Sequence, residues 1–165
     1  MIIVGIGSNL AARPFASPLA TAGAALAQLP KLGIRVERRS RWYLSEPVPA
    51  SGQPWFVNAV AIVETRLPPA ALLAALLALE VRFGRRRGAP NAARTLDLDL
   101  LDYNGLRQRA PRLTLPHPRL HQRRFVLAPL ADIAPRWRHP RLARCAADLL
   151  AHLPPGQRVR ALGER

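Results

Sequence analysis

Over the first two thirds of the chain, apolar positions either alternate with polar ones or recur at helical spacing, and turn residues punctuate the runs. Residues 2–6 form a short apolar run stopped by Gly7-Ser8-Asn9, the pattern of a strand followed by a turn. Residues 18–29 are rich in alanine and leucine and stop at Pro30, which predicts a helix with a defined end. From 33 to 45, Ile34 and Val36 alternate with charged residues before Trp42 and Tyr43, reading as one long exposed strand. Three prolines and a glycine between 46 and 54 exclude a strand interior and predict a loop. A β-rich pattern returns over 55–65, and Pro68-Pro69 opens a helix that runs to about residue 83.

Residues 84–93 then form a basic loop containing Gly88 and Pro90, and residues 95–103 a strand closed by the turn signal Asn104-Gly105. Beyond Pro116 two short helices are expected, near 121–133 and 144–153, before an irregular arginine-rich end. The order β-α-β-β-α-β over residues 2–103 predicts an α+β fold. Its form is a ferredoxin-like antiparallel sheet with helices packed on one face and a C-terminal helical extension. With no repeat or linker, residues 1–165 read as a single domain.

Composition narrows the class. Hydrophobic residues make up 49% and charged residues 21% of the chain, a globular balance. No apolar run approaches the ~20 residues that cross a bilayer, and no basic stretch precedes the apolar N-terminus as in a signal peptide. The lone Cys145 excludes an intrachain disulfide and a cysteine-based zinc site. The expectation is a cytoplasmic protein without a membrane partner. Net charge is +15 and uneven: residues 1–80 contribute +3, residues 81–165 contribute +12. Such a surplus asks for an anion, although a general preference for arginine, which supplies 24 of the 25 basic residues, accounts for part of it as solvated surface.

The sharpest local feature is Arg94-Thr95-Leu96-Asp97-Leu98-Asp99-Leu100. In a strand, Leu96, Leu98 and Leu100 enter the core together, so Asp97 and Asp99 share the other face, roughly 6.5–7 Å apart. Neighbouring carboxylates repel unless a cation or water lies between them, and hard oxygen ligands in this arrangement suit Mg²⁺. Two solvated aspartates at a strand edge are the bland alternative. Arg85, Arg86, Arg87 and Arg94 before the pair, and Arg112, Arg119, Arg123 and Arg124 after it, favour phosphoryl chemistry, which depends on positioning and charge neutralisation. Neither a P-loop nor the kinase signatures are present.

His117, between Pro116 and Pro118, is a candidate phosphate donor or a surface histidine in a turn. Asn58, polar on an apolar strand, either satisfies nearby backbone or pairs with a heterocycle edge. Phe56 faces the same way, as a core residue or as a stacking surface. His121, His139 and His152 show no ligand spacing and read as structural.

These residues together resemble the hydroxymethyl-dihydropterin pyrophosphokinase family nearly end to end. The matching stretches are Gly7-Ser8-Asn9-Leu10, Ser45-Glu46-Pro47-Val48, Phe56-Val57-Asn58-Ala59, Arg94 to Asp99, Pro116-His117-Pro118, Arg123, Phe125-Val126-Leu127, Pro129-Leu130 and Ala134-Pro135. The resemblance implies ATP-dependent transfer of pyrophosphate to the hydroxymethyl group of 6-hydroxymethyl-7,8-dihydropterin in folate biosynthesis, with release of AMP. It implies two Mg²⁺ ions on Asp97 and Asp99, and catalytic roles for Arg85, Arg94 and Asp97. ATP would be bound by Glu80, Arg87, Arg94, Leu100, Arg112, Thr114, His117 and Arg123. The pterin would meet Ser45, Glu46, Val48, Phe56, Asn58 and Phe125. The expected partners are these two small molecules, bound by a monomer, with no nucleic acid.

One departure stands out. The family's Trp-Gly-Pro-Arg run is Asn91-Ala92-Ala93-Arg94 here, in a loop one residue shorter. The absent tryptophan motivates one alternative, a catalytically weakened paralogue that still binds nucleotide or pterin. A basic RNA-binding domain is the other, disfavoured because aromatic residues are only 5% and the aspartate face repels phosphate without metal.

Overall fold

A computed structural model describes residues 1–86 and 88–163, and among these it contains a six-stranded sheet, a separate hairpin and four α-helices. The strands are β1 (Ile2–Ser8), β2 (Ile34–Arg39), β3 (Tyr43–Ser45), β4 (Phe56–Thr65), β5 (Asp97–Tyr103), β6 (Gln108–Ala110), β7 (Leu113–Leu115) and β8 (Val159–Ala161). The helices are α1 (Pro18–Gln28), α2 (Pro69–Arg82), α3 (Arg124–Ile133) and α4 (Ala146–Ala151). The sheet runs β5-β1-β4-β3-β8, with β2 pairing the far half of β4, and every pairing is antiparallel. The expected β-α-β-β-α-β order is therefore present. Among the described residues no helix is long and apolar enough to cross a membrane.

β1 is apolar on both faces because both are covered. On one side Ile2, Val4 and Ile6 meet Ala61, Val63, Leu98 and Leu100, and α1 and α2 close over them with Ala22, Ala25, Leu72, Leu76 and Leu79. Leucines at i, i+4 and i+7 put one stripe of α2 on the sheet. α1 starts where Ser17 accepts a hydrogen bond from the Ala20 N–H at 3.1 Å, with Pro18 in the first turn. On the opposite side Ile3, Val60, Ile62 and Leu101 pack against Val126, Leu127 and Leu130 of α3 and Leu149 of α4.

Three expectations change. The long strand over 33–45 is two strands: the register shifts between Val36 and Arg38, and Ser40 interrupts the ladder. Its buried hydroxyl accepts from the Val60 N–H at 3.0 Å and donates to the Arg41 carbonyl at 2.7 Å. A β-bulge looks like continuous alternation in sequence, because only one residue is added. The irregular C-terminal end instead contains β8, which pairs Val159, Arg160 and Ala161 with Ser45, Leu44 and Tyr43. The helices also do not all share one face, since the C-terminal extension covers the side opposite α1 and α2. The two-stranded β6–β7 hairpin, in a stretch for which the sequence carried no expectation, forms a small sheet of its own.

Candidate active site

The site occupies the part of the extension-facing side that α3 and α4 leave open. Gly7 lies opposite both Asn58 and Asp97, and Gly5 lies opposite Asp99. A Cβ at Gly7 would come within 3.3 Å of Asn58 Oδ1 and 3.8 Å of the Asp97 Cβ, so two glycines on the central strand keep the floor open. Above this floor is a cavity of about 290 Å³.

Strand alternation sends Leu98 and Leu100 into the helical core and leaves Asp97 and Asp99 on the cavity side, as expected. Asp97 is held by two guanidinium groups: Arg85 Nη1 at 2.7 Å from Oδ1 and Arg94 Nη1 at 3.1 Å from Oδ2. Among the described residues Asp99 is paired with Arg123 alone, whose Nη1 lies 3.8 Å from Oδ2. Burial first, then repulsion from Asp97, raises the Asp99 carboxyl above the usual carboxylate range, against the pull of Arg123, Arg94 and Arg85. Glu80, at the end of α2, accepts from the Leu98 N–H at 2.7 Å and from Arg85 Nη1 at 2.5 Å. Burial pushes its pKa up to about 7, opposed by the Leu98 N–H and Arg85. Glu80 thereby ties α2 to the outer edge of β5 and aims Arg85 at Asp97.

Opposite the acids, Asn58 donates from Nδ2 to Ser45 Oγ at 2.7 Å, and among the described residues nothing donates to its Oδ1. Phe56 from β4 and Phe125 from the first turn of α3 both line the cavity, with Glu46, Pro47 and Val48 at the rim. The Arg123 guanidinium stands 5.4 Å from the Phe125 ring centroid, joining the aromatic and cationic sides. His117 is pinned by its N–H donating to the Leu101 carbonyl at 2.8 Å, and its Nδ1 accepts from the Arg119 N–H at 3.1 Å. Burial, then Arg123, lowers its pKa to about 4. The ring is neutral near pH 7, and with Nδ1 accepting, the proton sits on Nε2.

All six expected pterin residues line this one cavity: Ser45, Glu46, Val48, Phe56, Asn58 and Phe125. So do Arg85, Arg94, Asp97 and Asp99, together with Glu80, His117 and Arg123. Three residues expected at ATP do not line it. Leu100 is buried in the helical core, since it alternates with Asp99. Arg112 and Thr114 sit on the β6–β7 hairpin, whose second strand packs beside β5. Arg87 lies outside the described residues. Sequence reading missed Gly5 and Gly7 as spacers, and Leu73, Leu77 and Asn91 as wall. Leu77, half exposed at 48% on a helix with a complete core stripe, was the readable signal.

The donor set fits magnesium. It is all oxygen, and among the described residues no group of three or more histidine, cysteine or acidic side chains gathers to enclose an ion. Two carboxylates that leave positions for phosphate and water are the usual protein share of a Mg²⁺ site.

Residues 3–135 match the family model described as 7,8-dihydro-6-hydroxymethylpterin-pyrophosphokinase (HPPK). A 2-amino-4-hydroxy-6-hydroxymethyldihydropteridine pyrophosphokinase from Synechocystis sp. is 42% identical over 148 residues, covering 90% of this chain and 73% of the relative. One of the same name from Pseudomonas aeruginosa is 42% identical over 154 residues, covering 93% and 91%. A crystal structure of Plasmodium falciparum HPPK-DHPS with pteroate superposes with a TM-score of 0.67 at 12% identity, covering 91% of this chain and 41% of that longer one, and shows likeness of fold. The match across residues 3–135 and the identity to relatives of similar length establish that the chain belongs to the hydroxymethyl-dihydropterin pyrophosphokinase family.

Proposed function

We infer that the protein transfers the pyrophosphoryl group of ATP to the hydroxymethyl oxygen of 6-hydroxymethyl-7,8-dihydropterin, releasing AMP, a step of folate biosynthesis. One observation supports this above the rest: a slot for a flat heterocycle (Asn58, Phe56 and Phe125) opens into the same cavity as an acidic pair flanked by three arginines. Phosphate chemistry and pterin recognition would need that adjacency.

In this reading Asn58 Oδ1 accepts from the N–H edge of the pterin, oriented by the bond from its own amide nitrogen to Ser45. Phe56 and Phe125 offer ring faces, and the 45–48 segment closes the rim. Arg85 and Arg94 contact the transferring phosphates, with Arg85 aimed by Glu80. His117 donates from Nε2, and Arg123 adds charge without a proton to lose. Arg87, and Arg112 and Thr114 on the hairpin, would meet the rest of the nucleotide, with Leu100 beneath. Bound with ATP, two Mg²⁺ ions on Asp97 and Asp99 would neutralise phosphate charge and stabilise the attacking and leaving oxygens. The hydroxymethyl oxygen forms a bond to the β-phosphorus as the bond from that phosphorus to the α,β-bridging oxygen breaks. AMP carries away the bridging oxygen, and the hydroxyl proton passes to solvent. The residues around the acceptor position it and exclude water. The reading includes action as a cytoplasmic monomer on two small molecules, without nucleic acid.

The absent lid tryptophan favours one second reading, a weakened paralogue that binds without turning over. AMP release from Mg-ATP, measured with and without the hydroxymethyl pterin, separates the two. Pterin-dependent AMP is the expected result, and nucleotide binding without AMP would leave the weakened paralogue.

A further inference from the structure

Asn9 belongs to the Gly7-Ser8-Asn9-Leu10 turn, and no step of the proposed transfer uses it. It is nonetheless 1% exposed, and both polar atoms of its side chain are engaged. Oδ1 accepts from the Arg94 N–H at 2.8 Å, while Nδ2 donates to Gln53 Oε1 at 3.2 Å and to the Pro54 carbonyl at 3.0 Å. The backbone N–H groups of Asn9 and Leu10 both donate to the Arg94 carbonyl, at 3.1 and 3.2 Å. The peptide groups on either side of the Arg94 Cα are therefore clamped to the turn that ends β1, the strand at the heart of the sheet.

Gln53 extends the clamp. Its Nε2 donates to the Asn91 carbonyl at 2.8 Å, and among the described residues this is the hydrogen bond that joins the 46–54 loop directly to residues 88–93. Asn91 lines the cavity and holds a left-handed backbone at φ 62°. Gln53 grips that loop by its main chain, so the grip does not depend on which side chain stands where the family run has tryptophan.

We propose that Asn9 is a positioning residue for Arg94, and that Gln53 is the latch through which Asn9 holds residues 88–93 beside the cavity. The proposal rests on the pyrophosphokinase reading for its catalytic consequence, though not for its structural one. Asn9 is rooted in rigid sheet, whereas both loops are rich in glycine, proline and small residues. Without the relay, the loop samples positions in which Asn91 and the Arg94 backbone leave their places, and transition-state contacts weaken more than substrate contacts.

The test uses the full chain. Gln53→Met keeps the side-chain length and removes both amide bonds, while Gln53→Glu keeps an acceptor for Asn9 and loses the donor to Asn91. In both, hydrogen exchange over residues 88–94 should quicken while exchange in β1 and β4 stays as in the wild type. kcat should fall about 2- to 12-fold, the factor set by one net hydrogen bond, with KM for the pterin within about twofold. Asn9→Ala should lower kcat further, and the Asn9→Ala/Gln53→Met double variant should lose less than the product of the single losses, because both act on one relay. Wild-type exchange over 88–94 with wild-type kcat in Gln53→Met overturns the latch. So does a fall in kcat matched by an equal loss of folded protein. Were Asn9→Ala not to fold, the Gln53 variants still decide. Were the wild type to release no pterin-dependent AMP, the exchange measurement would decide the latch and the functional reading alone would fail.

Discussion

Asp97 and Asp99 are two residues apart on an edge strand and differ in what surrounds them. Asp97 is shared between Arg85 and Arg94, whereas among the described residues Asp99 is paired with one cation, at 3.8 Å, and burial and repulsion from Asp97 raise its pKa. Replacing either by Ala should lower pterin-dependent AMP release by at least about 10²-fold, the scale of losing one preorganised electrostatic group; near-wild-type turnover in either variant would remove the proposed metal site. Their effects on stability should diverge. The raised pKa of Asp99 means that its ionised form disfavours the folded state near pH 7. Asp99→Asn should therefore keep or raise the thermal midpoint while abolishing turnover, as a melting curve beside the AMP assay will show. Arg94→Lys keeps charge but loses the planar fork, and its rate should fall about 10²-fold; an unchanged rate would make Arg94 a surface cation. The paired aspartates and the polar Asn58 were legible because each breaks a pattern. Gly5 and Gly7 were not, because a missing side chain shows its purpose only beside its neighbours.

At the scale of elements, a bulge in β5 decides how the C-terminal extension is attached. The β1 register shifts between Ile3 and Val4, so Leu101 and Asp102 both turn toward the extension. Asp102, 2% exposed, accepts from Trp137 Nε1 at 2.8 Å and from the Gly105 N–H at 3.2 Å. Trp137→Phe fills most of the same space and leaves that carboxylate short of a donor. Urea denaturation should show a loss of about 1–3 kcal/mol. No change would mean that Asp102 is satisfied without Trp137. Asp102 follows Asp97 and Asp99 in the same strand, and the bulge turns it to their face of the sheet, where the extension covers it. The split between β2 and β3 was illegible for a similar reason, since the residues near Ser40 still alternate.

For the whole molecule, the +12 carried by residues 81–165 resolves into a few arginines that converge on the cavity, Arg85, Arg94 and Arg123, and others that remain exposed. Buried histidine shapes the acid response. His139, 3% exposed, accepts at Nδ1 from the Arg141 and Leu142 N–H groups, and its Nε2 has no partner among the described residues. Burial, then His121 and Arg141, lowers its pKa to about 4. Between that value and about 6.5 the unfolded chain binds the proton more readily, so this contribution to stability is lost as pH falls through the window. His117 acts in the same direction, while Glu80, raised to about 7, acts in the opposite one. His139→Asn keeps an acceptor for the two N–H groups and cannot charge. Between about pH 7 and pH 4.5 the variant should lose roughly 2–3 kcal/mol less stability than the wild type, read by denaturant titration at each pH. Parallel losses would place the acid sensitivity elsewhere.

Local chemistry was enough to establish the order of strands and helices, the shared face of Asp97 and Asp99, and the family. Alternation, turn residues and motif spacing are short-range properties that are written along the chain. Only the tertiary structure decided that the C-terminal extension crosses to the face opposite α1 and α2, so that His117, Arg123 and Phe125 complete a cavity begun by β1, β4 and β5. Which face an amphipathic helix covers depends on where apolar surface remains exposed after the sheet has formed. That is a property of the assembled sheet, which brings residues far apart in sequence to one face.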